Sequence, residues 1–482
     1  MRSTALASSA LALLGLAACG GDDGDSPVDA RRIDARIIDA ADIDAAVDAQ
    51  PIDAREIDAA PPAGTTVWVF GDIATNNLGQ LGKFTHPATG VVTPTFVPAA
   101  GELPSTNFPV PFSISADSAR VVYVSRAVNT DPWKLSYSAA DGSGIVDVFT
   151  APAGATISDV ALSPDKTKIA FRADVATTGL FDVYVVPAAA AGVPVKVSPD
   201  RADVALDAQA FLVWSPDSRY LAFGGAFTTA ALNEVRIRDT MANTTATALG
   251  AAAIVSVTNP RGLLLAPQWA AGNKLVFAAK ITATDERRIY SAAADGTGFA
   301  VLPNSIITRA DTTMSQAYNF ALSPDGTKIA FASDGVIATA FEIYTMPATG
   351  AAAPTRLTAG TIAAGRGPDA FRPMRFNPAG TAVAFGADYG ATDEKYQPYF
   401  VPLAGGAPRR LAIIGLDTDA ARDVQNLAWT GDGAFIYAIG DPGAADNDFQ
   451  VFPLDTTMTD QAVTAVVTPP ASGDVFEITT RF

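Results

Sequence analysis

A four-residue turn recurs along most of this chain, each time between two short apolar segments. The clearest copies are Leu162-Ser163-Pro164-Asp165 before Lys168–Phe171, Trp214-Ser215-Pro216-Asp217 before Tyr220–Phe223, and Leu322-Ser323-Pro324-Asp325 before Lys328–Phe331. Each second segment closes on an aromatic residue, and weaker copies add Tyr123, Phe277, Phe385 and Tyr437. The seven markers, at positions 123, 171, 223, 277, 331, 385 and 437, are separated by 48, 52, 54, 54, 54 and 52 residues. So regular a spacing indicates a chain of repeated supersecondary units.

Each unit reads as four short antiparallel strands. Proline presets φ, and aspartate and glycine tolerate the tight reversal, so the turn joins a first strand to a second. A third strand follows, such as Val183–Val186 or Glu342–Thr345, and then a fourth, such as Thr355–Thr358. Four such strands form one blade of a β-propeller. The pattern resembles the PD40 repeat of TolB-like proteins over residues 65–482. That resemblance implies an all-β propeller fold and interactions in the bacterial envelope, without naming a partner.

The two ends of the repeat region complement one another. Residues 67–97 read like a blade that lacks its first strand, whereas Val475–Thr479 is an alternating strand without a partner of its own. We therefore expect the N- and C-terminal strands to close the ring in one shared blade, which removes exposed sheet edges. Residues 65–482 divided among eight blades give roughly 52 residues per blade, close to the period. The prediction is eight blades, with seven as the alternative.

The start of the chain has the features of a secretory signal. Arg2 precedes an apolar run from Ala5 to Leu16 that is too short to span a bilayer. The sequence Leu16-Ala17-Ala18-Cys19 resembles the lipobox of bacterial lipoprotein precursors, which implies removal of residues 1–18 and diacylation of Cys19. Gly20, where the family's inner-membrane retention signal places aspartate, implies the outer membrane of a Gram-negative bacterium, facing the periplasm or the cell surface. The alternative is an ordinary signal peptide cut elsewhere, with Cys19 left free.

Residues 19–64 have a different composition from the rest of the chain. An aliphatic-Asp-Ala unit recurs from Val28 to Ala59 with its aspartates mostly five residues apart. A five-residue step gathers the aliphatic side chains on neither a helix face nor a strand face, so no core can form. We predict a disordered acidic tether behind the lipidated cysteine. An Asp ladder for Ca²⁺ is the alternative, but the unit lacks the glycines of calcium-binding repeats.

Charge and rare residues exclude several function classes. A net charge of −17 is unsuited to nucleic-acid binding, which needs a basic face. Cys19 is the only cysteine, so no internal disulfide forms, and the single histidine, His86, rules out an ordinary Ser-His-Asp triad. We expect His86 to have a surface or packing role. The acidic clusters 417–423 and 441–448 could bind a cation, but their position in loops favours solvated charge.

The candidate binding residues precede the first strands of several blades. These segments combine arginine and aspartate and should emerge together around one mouth of the channel. The residues are Arg201, Asp203, Arg309, Asp311, Asp369, Arg372 and Asp423. The alternative is that these side chains pair with one another and only organise the loops. The Ser-Pro-Asp triplets recur at turns in blade after blade, so we assign them a structural role.

These features together predict a membrane-anchored envelope lipoprotein that presents a β-propeller as a protein-interaction or ligand-binding scaffold. We assign no catalytic residue, no metal site and no cofactor. The expected partners are the membrane, through the acyl chains on Cys19, and a protein or envelope polymer. The alternative is a propeller hydrolase or lyase that acts on an envelope polymer through carboxylates in the channel. That alternative needs two facing acids on the first strands, where the recognisable residues, such as Val160, Leu212 and Phe376, are apolar.

Overall fold

The computed structural model describes residues 64–480 except for 75–78, 87–90, 98–110, 129, 190–191, 201–207, 229–232, 251–261, 264–265, 282–286, 309–314, 316, 359–361, 369–373, 391–395, 413, 415–423, 443–448 and 470–473. The predicted signal peptide, Cys19 and the predicted tether therefore lie outside the described residues. In the part of the chain that is described, all regular structure is β, and no helix is long and apolar enough to cross a membrane.

Eight antiparallel sheets follow one another along the chain. Blade 1 contains β1 (Thr66–Gly71), β2 (Gln80–Thr85), β3 (Thr95–Phe96) and β32 (Val475–Thr480). Blade 2 contains β4 (Phe112–Ile114), β5 (Arg120–Ser125), β6 (Lys134–Ala139) and β7 (Val146–Thr150). Blade 3 contains β8 (Ile157–Leu162), β9 (Lys168–Ala173), β10 (Asp182–Pro187) and β11 (Val195–Lys196). Blade 4 contains β12 (Ala208–Trp214), β13 (Tyr220–Gly225), β14 (Glu234–Asp239) and β15 (Thr244–Leu249).

The second half of the chain repeats the arrangement with two local variations. Blade 5 contains β16 (Gly262–Leu263) and β17 (Gln268–Ala270), which both pair with β18 (Lys274–Lys280), then β19 (Arg287–Ala293) and β20 (Ala300–Val301). Blade 6 contains β21 (Ala317–Leu322), β22 (Lys328–Ile337), β23 (Ala340–Pro347) and β24 (Thr355–Arg356). Blade 7 contains β25 (Arg375–Phe376), β26 (Ala382–Ala387), β27 (Gln397–Pro402) and β28 (Arg409–Arg410). Blade 8 contains β29 (Val424–Trp429), β30 (Phe435–Gly440) and β31 (Gln450–Asp455), and a bridge from Val451 to Val467 stands where a fourth strand would be.

The recurring turn folds each first strand onto the second through its serine. In blade 3 the Ser163 hydroxyl accepts a hydrogen bond from the Lys168 backbone N–H at 2.9 Å and donates one to the Asp165 carboxylate at 2.6 Å. The residue that follows the aspartate of the turn has a positive φ, 62° at Lys166 and 67° at Gly326. Glycine has no steric penalty there, which explains why some copies end in glycine.

Hydrophobic residues form eight clusters, and each cluster lies between two neighbouring blades. The seven marker aromatics, from Tyr123 to Tyr437, are all buried in second strands. Because a blade packs against a neighbour on both faces, its second strand is apolar on both sides, as β26 shows with six buried residues in succession. One of the eight clusters joins blade 8 to blade 1 and includes Val475 and Ile478 of β32.

The ring closes as the strand count predicts. Strand β32 pairs antiparallel with β1, with Trp68 opposite Thr479 and Phe70 opposite Glu477. Blade 1 is therefore built from three strands near the start of the repeat region and one strand near its end. The eight-blade prediction is confirmed, and the seven-blade alternative is wrong.

Candidate functional site

The first strand of each blade faces the axis of the ring, where the structure contains a cavity of about 440 Å³. A cavity of this size lies within the usual range for a small-molecule site. Six blades contribute to its wall through β4, β8, β12, β25, β29 and β32. The lining residues are Phe112, Ser113, Val160, Ala161, Leu212, Arg375, Phe376, Leu427, Ala428, Trp429, Glu477, Ile478 and Thr479.

Two charged residues line this cavity, and they come from one side of the ring. Arg375 lies on β25 of blade 7 and Glu477 on β32 of blade 1, with blade 8 between them. Blade 8 contributes Asn426, whose side-chain amide donates a hydrogen bond to Glu477 Oε1 at 2.6 Å. Burial lowers the pKa of Arg375, while the negative charge of Glu477 acts to raise it. The guanidinium nevertheless stays charged at neutral pH, as arginine does in proteins.

The opposite side of the cavity is apolar. Blades 3 and 4 face blades 7 and 8 across a ring of eight, and they contribute Val160, Ala161 and Leu212. The wall therefore has a charged side and a hydrocarbon side. Such a wall orients a ligand that has one polar edge and one apolar face.

Four polar residues of the first strands share a position next to an irregularity in strand pairing. The register between first and second strand shifts between Ile157 and Val160, between Ala317 and Phe320, and between Val424 and Asn426. Asp159, Asn319, Asn426 and Glu477 lie in or beside these shifts, since β32 has its own shift opposite Phe70 and Gly71. A bulge leaves backbone groups unpaired and redirects a side chain, which suits this position to polar residues.

A second acid on a first strand is neutralised within its own blade. Asp159 forms an ion pair with Arg172 at 2.9 Å, and both side chains are largely buried. Burial raises the pKa of Asp159, and the Arg172 charge opposes that effect. Among the described residues that line the cavity, Glu477 is the one carboxylate.

The seven candidate binding residues, Arg201, Asp203, Arg309, Asp311, Asp369, Arg372 and Asp423, all lie outside the described residues. Buried aspartates organise described backbone that precedes first strands. Asp174 accepts hydrogen bonds from the Thr156 N–H, just before β8, and from the Gly179 N–H. Asp388 accepts one from the Gly367 N–H at 2.7 Å and lies 3.6 Å from the Arg366 guanidinium. Carboxylates therefore fix the segments that lead into the first strands.

One acidic residue differs from the expectation. The sequence favoured solvated charge for the clusters 417–423 and 441–448, but Asp441 is fully buried, with 0% of its surface exposed. The other acidic residues of the two clusters lie outside the described residues. It directly follows β30, just as Asp72, Asp174 and Asp388 follow the second strands of their own blades. An aspartate therefore recurs directly after the second strand of several blades. This repeat could have been found in the sequence, but the acidic loop that follows Asp441 drew attention away from it.

The Ser-Pro-Asp triplets have the structural role that their repetition predicted. Their aspartates accept hydrogen bonds within the turn and from the neighbouring blade, as from Asn273 to Asp217 at 2.7 Å. Hydrogen bonds from Ser323 and Thr327 hold the pKa of Asp325 down at about 2. In the described ranges no group of three or more side chains could hold a metal ion.

Arg375, Asn426 and Glu477 were not singled out from the sequence. Arg375 occupies the position just before the turn-proximal residue of its first strand, where blades 3 and 6 carry Ala161 and Ala321. An alignment of all first strands would have shown that blade 7 has an arginine at a position where these other blades have a small residue. Glu477 required the closing strand to be aligned with the others.

Comparisons with known proteins agree with the architecture. No protein-family model and no curated protein matches the chain. Among solved structures, Porphyromonas gingivalis dipeptidyl peptidase 4 is similar with a TM-score of 0.52 and 10% identity, covering 85% of this chain and 60% of that one. An oligogalacturonate lyase in complex with manganese matches with a TM-score of 0.46 and 11% identity, covering 81% of this chain and 96% of that one. TolB from Acinetobacter baumannii matches with a TM-score of 0.34 and 14% identity, covering 83% and 80%. The chain spans about 60% of the peptidase, and that similarity shows the fold alone: a β-propeller.

Proposed function

We propose that this chain is a lipid-anchored binding protein of the bacterial envelope, whose ligand or partner engages the central channel of the propeller. The observation that carries the proposal is the two-sided cavity wall, with Arg375 and Glu477 on one side and Val160 and Leu212 on the other. Pockets in which a few polar groups converge are typical of specific binding. The anchor rests on the lipobox-like sequence that ends at Cys19.

Binding without turnover fits the charges of the site better than hydrolysis or elimination does. Those reactions typically use one group to donate a proton and a second to accept it, or to attack. Among the residues that the structure describes, a single carboxylate, Glu477, lines the cavity, and the nearby acid Asp159 is held by Arg172. The charged pair in the cavity, an arginine and a glutamate, is suited to holding complementary groups of a ligand.

The anchor is tested by Cys19→Ser. In cells that produce the full chain, we expect the wild type to label with a radioactive fatty acid and to sediment with membranes. The variant should label no longer and should move to the soluble fraction. Acyl chains contribute roughly 0.8 kcal/mol of membrane affinity per buried CH₂, so their loss is decisive. Unchanged sedimentation of the unlabelled variant would contradict the lipid anchor.

The channel is tested by filling it. Ala161→Phe places a ring in the cavity, and Val193→Phe adds the same ring at a site that is 79% exposed. After crosslinking in cells, material retained by the wild type and by Val193→Phe should be lost from Ala161→Phe, provided that both variants melt near the wild-type temperature. Equal retention by all three proteins would refute channel binding. Shortening of the retained polymer during incubation would favour the enzyme alternative.

A further inference from the structure

The Arg375 side chain is charged and lies at the channel, and the described residues offer its guanidinium no hydrogen-bond or ion-pair partner. Its backbone carbonyl accepts a hydrogen bond from the Trp429 indole at 3.0 Å, which holds the strand in place. Among the described residues, no hydrogen bond or ion pair reaches its guanidinium, although the field of Glu477 does. A guanidinium offers several N–H donors in a planar fork that matches a carboxylate.

Burial makes an unpaired charge on the Arg375 guanidinium energetically costly. The surroundings of Arg375 lower its pKa by desolvation, so they disfavour the charged form that the residue must keep. Two largely buried arginines of this protein each have a carboxylate at hand: Arg172 has Asp159 and Arg366 has Asp388. A bound anion would supply for Arg375 what those aspartates supply for their arginines.

The wall also restricts which anion fits. Arg375 is the one cation among the described lining residues, and Glu477 repels negative charge nearby. A singly charged carboxylate therefore suits the site better than a doubly charged phosphate. Glu477, held by Asn426, can accept a hydrogen bond from a hydroxyl or ammonium group of the same ligand. Leu212 and Val160 offer an apolar surface to the remainder of the molecule.

We propose that the channel binds a small organic acid, with its carboxylate on Arg375, an adjacent hydroxyl or amino group on Glu477, and an apolar body against Val160 and Leu212. This inference rests on the proposed binding function and names its ligand class. α-Hydroxy acids, α-amino acids and sugar acids share this chemistry, and a cavity of about 440 Å³ accommodates molecules of their size.

Isothermal titration calorimetry on the detergent-solubilised full chain tests the ligand class. The probes are mandelate, phenylalanine and glucuronate, with phenylacetate and phenylacetamide as references. We expect phenylacetate to bind about tenfold more tightly than its neutral amide, and mandelate or phenylalanine to bind more tightly still. Preference for phenylalanine would indicate an amino acid or peptide end, and preference for glucuronate a sugar acid. Failure of every acid to bind below about 10 mM, or equal binding of acid and amide, would overturn the proposal.

Substitutions test whether Arg375 and Glu477 bind the ligand as proposed. Arg375→Gln should weaken binding of the acids by about tenfold or more, whereas Arg219→Gln, at an arginine on the outer surface, should leave it unchanged. Glu477→Gln should reduce the preference for mandelate over phenylacetate. Equal affinities of the two arginine variants would refute the assignment. The comparison of acid with amide uses the wild type alone, so it decides the matter even if Arg375→Gln fails to fold. Absence of acid binding, together with loss of envelope retention in Ala161→Phe, would reject the ligand class and leave channel binding intact.

Discussion

His86 is enclosed by aromatic rings between blades 1 and 8. It directly follows β2, is 6% exposed and packs edge-on against Tyr437 at 4.9 Å between ring centroids. Phe435 lies on another side of the ring at 5.6 Å. Burial lowers the pKa of His86 to about 4, while the charge of Asp432 acts to raise it. The imidazole is therefore neutral in the folded protein at physiological pH, which fits the packing role expected from its isolation in the sequence.

Acid should destabilise the protein through this histidine. In the unfolded chain the pKa of His86 is near 6.5, the ordinary value for histidine, so between pH 6.5 and about 4 the unfolded state binds a proton that the folded state does not. Stability therefore falls as pH falls through that window, by at most roughly 3 kcal/mol from this group. We expect His86→Phe to lose less free energy of unfolding than the wild type between about pH 7 and pH 4.5 in urea titrations. Parallel losses in the two proteins would show that His86 takes up its proton over the same pH range in the folded and the unfolded state.

Inner strands are tied to one another by a recurring hydrogen bond between blades. The indoles of Trp214, Trp269 and Trp429 occupy equivalent positions at the ends of first strands, and each donates to a backbone carbonyl of the preceding blade at 3.0 Å. Where the chain has another residue, a different side chain makes the link, as Ser113 does by accepting from the Leu162 N–H at 3.1 Å. These bonds fix the spacing of the strands that form the cavity wall.

Gly71 makes room for the strand that closes the ring. A Cβ at this position would lie 2.0 Å from the Asp474 carbonyl oxygen and 2.8 Å from the Val475 Cα, both of which are backbone atoms. The equivalent position at the end of the second strand is alanine in blades 3 and 7, where Ala173 and Ala387 close β9 and β26. The tight approach is therefore particular to the closing blade.

Gly71→Ala should push β32 away from β1. We expect a loss of at least about 2 kcal/mol in the free energy of unfolding, the scale of overpacking a buried site. Gly386→Ala is the matched control, because its Cβ would meet its nearest neighbour, the Val424 carbonyl oxygen, at 3.6 Å. Denaturant titration of the two variants beside the wild type measures the difference. A Gly71→Ala protein as stable as Gly386→Ala would mean that β32 approaches β1 less closely than described.

At this scale, the features that could be predicted from the sequence are those that recur with the repeat. The turn, the marker aromatics and the blade count were predictable because they obey the repeat, and a repeated unit reports the same local physics several times over. Arg375 and Glu477 were missed because each occurs once, in a strand whose neighbours are apolar. The partner of β32 was predictable from strand counting, whereas the clearance at Gly71 depends on a contact between residues some 400 positions apart.

Closure by β32 makes the stability of the whole ring depend on one short strand. β32 contributes Val475 and Ile478 to the cluster between blades 8 and 1, and Asp474 accepts a hydrogen bond from the Asp72 N–H at 2.8 Å. Without β32, backbone groups of β1 in the sheet interior lose their partners, at a cost of roughly 1 to 3 kcal/mol for each buried group.

Deletion of residues 474–482 should therefore be far more damaging than loss of nine terminal residues usually is. Several unpaired groups together rival the roughly 5 to 15 kcal/mol by which a domain is stable, so we expect aggregation or a much lower melting temperature. A synthetic peptide of residues 474–482, supplied in excess, should restore part of the loss by adding a strand to the open edge of β1. A peptide with the same residues in scrambled order is the control. A truncated protein that melts like the wild type would refute closure by β32.

Strand β32 also carries Glu477, so closure of the ring and completion of the cavity are coupled while the protein is being made. The ring cannot close until the segment that contains β32 has left the ribosome, so β1 has an open edge that invites wrong pairing for the rest of synthesis. Pairings this distant in sequence also form slowly. Because Glu477 forms part of the cavity wall, the binding site is assembled in the same step that locks the ring. An immature chain thus has no finished pocket with which to capture a ligand.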